Sequence, residues 1–100
     1  MNKTSLQIIL NHFGRMTQIF KLMEELAELL GELAIALAKY GLDADKILAD
    51  PKVQTEMADV ILLLKQFGMI PDLAIALGKE VDEKGARTLE RMESGYYEQL

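Results

Sequence analysis

The stretch "KLMEELAELLGELAIAL", Lys21 to Leu37, decides the fold. Leu, Met, Ala and Glu are strong helix formers, and no proline or β-branched run interrupts them. The pattern extends back to Arg15 and forward to Tyr40. Gly41 then stands where a helix needs a left-handed terminator, with Lys39 complementing the carboxyl end of the dipole. At 100° per residue, Glu25, Glu28 and Glu32 form one stripe with Glu24 at its edge, and Gln18 and Lys21 lengthen it toward the amino end. The rest of the circumference is Phe20, Leu22, Met23, Leu26, Ala27, Leu29, Leu30, Leu33, Ala34, Leu37 and Ala38. A helix apolar nearly all round is a buried one. Its single polar face is then either its solvated side or the lining of an internal site.

Working outward, Leu6, Ile9, Leu10 and Phe13 recur at i, i+3, i+4 and i+7, predicting a helix over Thr4–Phe13 capped by Thr4 or Ser5 and broken at Gly14. "LDADKILAD" reads as a loop with one helical turn. Asp50 followed by Pro51 is an N-cap and first-position pair, opening a helix that ends near Phe67. Another runs from Pro71 to about Glu93, with Gly78 and Gly85 on one face, which weaken it or let a neighbour approach. Nothing alternates with period two, so no sheet is expected. Four helices with short connections predict an all-α, four-helix bundle in one domain spanning residues 1–100.

The carboxylates are unusual for a solvated face, which normally mixes Lys with Glu. Glu24/Glu28, Glu25/Glu28 and Glu28/Glu32 are like-charged at contact spacing, each destabilising by roughly 0.2–0.5 kcal/mol. Lys21–Glu25 is the one relieving pair. A second acidic pair, Glu56 and Asp59, sits three apart in "VQTEMADVILLLKQF" amid Val53, Met57, Val60, Leu62 and Leu63. If the two helices lie side by side, the pairs converge. Two carboxylates ~6 Å apart repel by roughly 3 kcal/mol at an effective dielectric near 20. A divalent cation reverses that sign, and all-oxygen donors favour Mg²⁺, Mn²⁺ or Ca²⁺ over Zn²⁺. A di-iron bundle needs Glu-x-x-His twice, but the single histidine, His12, has no glutamate three before it. "DADKILAD" lacks the glycine and closing glutamate of an EF-hand.

Composition narrows the rest. Half of the 100 residues are hydrophobic, so the chain is globular in type rather than disordered. The net charge of −5 argues against a nucleic-acid partner. Cysteine is absent, which removes disulfides and thiolate chemistry and suits a reducing cytoplasm, the expected compartment. The opening "MNKTSLQIILNHFG" is too polar for a signal peptide, and no apolar run reaches the ~18 residues of a membrane span.

"EELAE" (Glu24, Glu25, Glu28), followed after 27 intervening residues by "EMAD" (Glu56, Asp59), resembles the E-E-x-x-E…E-x-x-D pattern of the MazG-like all-α nucleoside triphosphate pyrophosphohydrolases. "FGRMTQIFKLMEELAEL" is similar to that family's first core helix, including Gln18 and Lys21, and the resemblance covers roughly Leu6 to Met92. It implies Mg²⁺-dependent cleavage of an NTP or dNTP between the α and β phosphates, by a bundle completed as a homodimer or homotetramer. Glu25, Glu28, Glu56 and Asp59 would be the metal ligands, with Mn²⁺ as a substitute ion. A carboxylate free of ligation, Glu24 or Glu28, would take the proton of the attacking water.

Phosphate charge also calls for side-chain cations. Lys84, Arg87 and Arg91 share a face at i, i+3 and i+7, although Glu80–Lys84 and Glu83–Arg87 are also ordinary surface pairs. Lys21 is a further candidate, and Gln18 is a candidate substrate contact beside it. Asn11, His12 and Phe13 could meet the base, and Tyr96 and Tyr97 suit interface packing at the carboxyl end. Two rival readings remain: a non-catalytic helical interaction module with a structural metal, and a regulator that binds a nucleotide without cleaving it.

Overall fold

The computed structural model describes residues 1–99, with side chains for all of these except Tyr97 and Gln99. The expectation for Tyr97 therefore lies outside the described residues. Five α-helices follow one another: α1 (Lys3–Phe13), α2 (Arg15–Tyr40), α3 (Ala44–Ala49), α4 (Pro51–Phe67) and α5 (Pro71–Glu93), with a closing 3₁₀ turn (Tyr96–Gln99). No strand occurs among the described residues. The chain divides into two compact units, Met1–Met69 and Ile70–Leu100.

In the first unit α2 and α4 form the main pairing, and α1 packs on both. Gly14 (φ 84°) separates α1 from α2 and Gly41 (φ 65°) ends α2. Both occupy backbone conformations that side chains with a Cβ resist. The cap of α1 is Asn2, whose Oδ1 accepts from the Ser5 backbone N–H at 2.8 Å; Thr4 and Ser5 lie inside the helix instead. An Asn preceding the helix satisfies an orphan donor equally well. "ADKILA" makes nearly two turns, capped by Asp43, where a single turn was expected.

Asp50 caps α4, accepting from the backbone N–H groups of Lys52 (2.9 Å) and Val53 (3.4 Å). Its other oxygen accepts from Tyr40 Oη at 2.8 Å, tying the end of α2 to the start of α4. The Tyr40 hydroxyl, then the two backbone donors, hold the Asp50 carboxyl below its ordinary range. This stability is present above the unfolded pKa of Asp50 and is lost as pH falls through its lower folded value. Tyr40→Phe should lower the melting temperature at neutral pH and lower it less in acid, which parallel thermal melts would show.

The core consists of Leu6 and Leu10 from α1, Ala36 from α2, and Val53, Val60, Leu63 and Phe67 from α4. The expectation that α2 is buried all round does not hold within one chain. Its buried residues are Gln18, Glu25 and Ala36, while Phe20, Met23, Leu26 and Leu37 are exposed and Leu30 is 70 % exposed. The helix turns Gln18 and Glu25 inward, leaves Lys21, Glu24 and Glu28 exposed, half-buries Leu22, Leu29 and Leu33, and carries the rest of its large hydrocarbon outward. On the inward side Gln18 bonds to Gln66 of α4, and Glu25 lies against Glu56 and Asp59.

The second unit is α5 and the 3₁₀ turn. Pro71 opens the helix, Asp72 lies in its first turn and Arg91 in its last. Gly78 and Gly85 do not interrupt it, and a Cβ at either meets open space. Arg91 sits over the Tyr96 ring, 4.9 Å from its centre. No single helix among the described residues is long and apolar enough to cross a membrane.

Candidate metal centre

Glu25 and Glu28 are one turn apart on α2, and Glu56 and Asp59 one turn apart on α4, because both motifs place carboxylates at i and i+3. Pairing of the two helices brings three of the four together. One carboxylate oxygen from each of Glu25, Glu56 and Asp59 lies within 4.8 Å of the other two. A second group, Glu24, Glu25 and Glu28, meets the same criterion, with Glu25 shared. Glu28 thus stands at the exposed margin, outside the trio that joins the two helices.

Glu25 is 5 % exposed. Its Oε1 accepts from Lys21 Nζ at 3.0 Å, and the same ammonium reaches Glu24 Oε2 at 3.5 Å. The Oε2 atoms of Glu25 and Glu56 are fully buried and have no hydrogen-bond partner. Buried polar atoms are nearly always satisfied. Two orphaned anionic oxygens, one from each helix and both in one cluster, mark a place that a cation would complete. Oxygens sharing one dication at roughly 2.1–2.5 Å stand at most about 4–5 Å apart, so the spacing fits. The donor set is all oxygen, suited to a hard ion.

The electrostatics record the same crowding. Desolvation, then the charges of Glu28, Glu25 and Asp59, push the Glu56 carboxyl up to about 6. The Glu25 and Glu24 carboxylates, with burial, raise Glu28. Lys21 chiefly holds Glu25 below its ordinary range, and Glu25 and Glu24 in turn raise Lys21. A carboxyl whose folded pKa is raised binds its proton more tightly folded than unfolded. Its contribution to stability therefore falls as pH climbs from the unfolded pKa through about 6. Metal-free Glu56→Gln should gain little over the parent at pH 4.5 and more at pH 7, in melts with a chelator. Mg²⁺ should reduce that gain at pH 7, because the ion takes over the charge that Gln removes.

The other expected residues fall into place unevenly. Gln18 is buried at 5 % exposure, and its Nε2 donates to Gln66 Oε1 at 2.7 Å. Lys21 stands on the acidic cluster itself. His12 is exposed and meets the Phe13 ring edge-on, with centroids 4.7 Å apart. Asn11 accepts from Gln7 Nε2 on the surface of α1. Lys84 and Arg87 are exposed on α5, in the second unit. Gln66 was missing from the sequence expectations. Its signal was available: seven residues after Asp59 it returns to the Glu56/Asp59 face, a polar side chain inside "ILLLKQF". No family model, curated protein or solved structure matches this chain.

Proposed function

We propose that the chain is a Mg²⁺-dependent nucleoside triphosphate pyrophosphohydrolase of the MazG-like all-α kind. It would convert an NTP or dNTP to the monophosphate and pyrophosphate. The observation that carries this reading is the meeting of Glu25, Glu56 and Asp59 from two helices, with two buried carboxylate oxygens left without partners. The order and spacing of "EELAE" and "EMAD" support it from the sequence.

Glu25, Glu56 and Asp59 would hold the ion, with Glu28 at the exposed margin of the cluster. When bound, the dication supplies neutralisation of phosphate charge and acidification of water. Lys21 keeps Glu25 ionised and anchors its Oε1, so the orphaned Oε2 keeps a fixed direction. Glu28 or Glu24, both exposed, accepts the proton of the incoming water. The water oxygen bonds to phosphorus, and the α–β anhydride bond breaks with its electron pair leaving on phosphate oxygen. His12 is the proposed further contact to the base.

The outward hydrocarbon of α2 supports assembly as a homodimer or homotetramer. Contiguous apolar surface of this kind marks an interface, and a second copy brings the same self-complementary strip. The test of the reading is pyrophosphate release across a panel of NTPs and dNTPs. Release that needs Mg²⁺ or Mn²⁺ supports it; no turnover of any nucleotide with either ion refutes it.

A further inference from the structure

Between α1, α2 and α4 lies an open cavity of about 760 Å³ that reaches the acidic cluster at Glu25 and Asp59. Phe13 and Phe20, both more than half exposed, belong to its wall, and Gln18 and Gln66 are among its most buried lining groups. The volume lies in the range of small-molecule sites, which combine apolar walls with a few placed polar groups.

The two amides are the unusual feature. Gln66 is 1 % exposed and Gln18 5 %, yet the bond between them is the one side-chain hydrogen bond that either amide makes among the described residues. Each primary amide can make about four. Gln18 Oε1 and Gln66 Nε2 are not among the fully buried orphan atoms, so they keep access, and the cavity that both residues line provides it. A purely structural bridge between α2 and α4 is served as well by hydrocarbon, without the cost of underused polar groups. The carboxylates need neither amide.

We infer that the Gln18–Gln66 pair reads the hydrogen-bonding edge of a nucleobase whose phosphates lie at the acidic cluster. The inference rests on the proposed nucleotide chemistry. With Gln18 donating to Gln66, the pair presents a free acceptor on Gln18 beside free donors on Gln66. Turning both amides over exchanges those roles. Either arrangement matches the adjacent donor and acceptor of an amide edge, as in oxo bases, or an amidine edge, as in amino bases. The Phe13 and Phe20 rings supply apolar and stacking contact for the flat ring. The ligand class is thus a nucleotide with an intact base edge, and not a phosphoanhydride in general.

The test is calorimetric binding, in Mg²⁺, of nucleoside 5′-monophosphates and of ribose 5-phosphate, so it does not depend on turnover. The parent protein should bind at least one nucleotide at least about tenfold tighter than ribose 5-phosphate, since unpaired polar groups in a built site penalise ligands that lack the matching edge. Gln66→Leu, and Gln66→Met as a second variant of similar volume, should cut that preference at least about fivefold, leaving only what stacking on Phe13 and Phe20 supplies. Mg²⁺ affinity should be retained, with a modest drop in melting temperature because the Gln18 amide loses its partner. Retention of the nucleotide preference in both variants overturns the inference, as does loss of folding in both, which makes the pair a structural lock. If the parent binds Mg²⁺ but treats ribose 5-phosphate and nucleotides alike, this inference fails alone. If it binds no Mg²⁺, the proposed function fails first.

Discussion

Glu25→Gln is expected to lower Mg²⁺-dependent pyrophosphate release by at least about a hundredfold while leaving the chain folded. Groups that merely orient a metal ligand cost 10–100-fold when removed, and Glu25 is placed as a ligand itself. It belongs to both acidic groups, it is the most buried carboxylate of the cluster, and one of its oxygens has no partner. The amide keeps the volume and an oxygen but loses the charge. Without metal the variant loses a like charge facing Glu56 and Glu28. It also loses the ion pair with Lys21 that holds Glu25 below its ordinary range, so a modest fall in stability at neutral pH is expected with the fold retained. Circular dichroism would verify the fold, and a pyrophosphate assay across Mg²⁺ concentrations would separate weaker metal binding from slower chemistry. Undiminished turnover at all Mg²⁺ concentrations would remove Glu25 from the site.

Leu30→Glu is the second large expectation, and it concerns assembly. Leu30 is 70 % exposed in the single chain, on the face shared with Met23, Leu26 and Leu37. Fully burying a leucine contributes roughly 1.5–3 kcal/mol, and a symmetric pair uses the residue twice. A carboxylate there replaces that gain with two desolvated charges facing each other. The parent should sediment as a dimer or tetramer, and the variant as a monomer with a lower, concentration-independent melting temperature. A parent that stays monomeric at high micromolar concentration would show that the outward hydrocarbon of α2 has another purpose.

How much was legible from sequence differs between elements for identifiable reasons. The limits of α2 were readable because Gly14 and Gly41 punctuate a long run of helix formers, and those of α4 because Asp50-Pro51 announces its start. The acidic pairs were readable because i, i+3 spacing fixes a shared face whatever the tertiary fold. The inward face of α2 was not, since it depends on α4: Gln18 pairs with Gln66 and Glu25 comes to lie against Glu56 and Asp59, while Leu26, Leu30 and Leu37 stay outside. Asn2 was passed over as a cap because Thr4 and Ser5 are equally good capping types, and only the observed bond to the Ser5 N–H decides. Gln66 was hidden in an apolar run, and its meaning emerged only when Gln18 was found opposite it.

The most direct test of the central claim is a crystal structure of the protein grown or soaked with Mn²⁺, with anomalous difference density calculated at the acidic cluster. A peak bounded by the carboxylates of Glu25, Glu56 and Asp59, with the Glu25 and Glu56 Oε2 atoms turned toward it, is the predicted result. A well-ordered cluster in millimolar Mn²⁺ with no peak between α2 and α4 would contradict it.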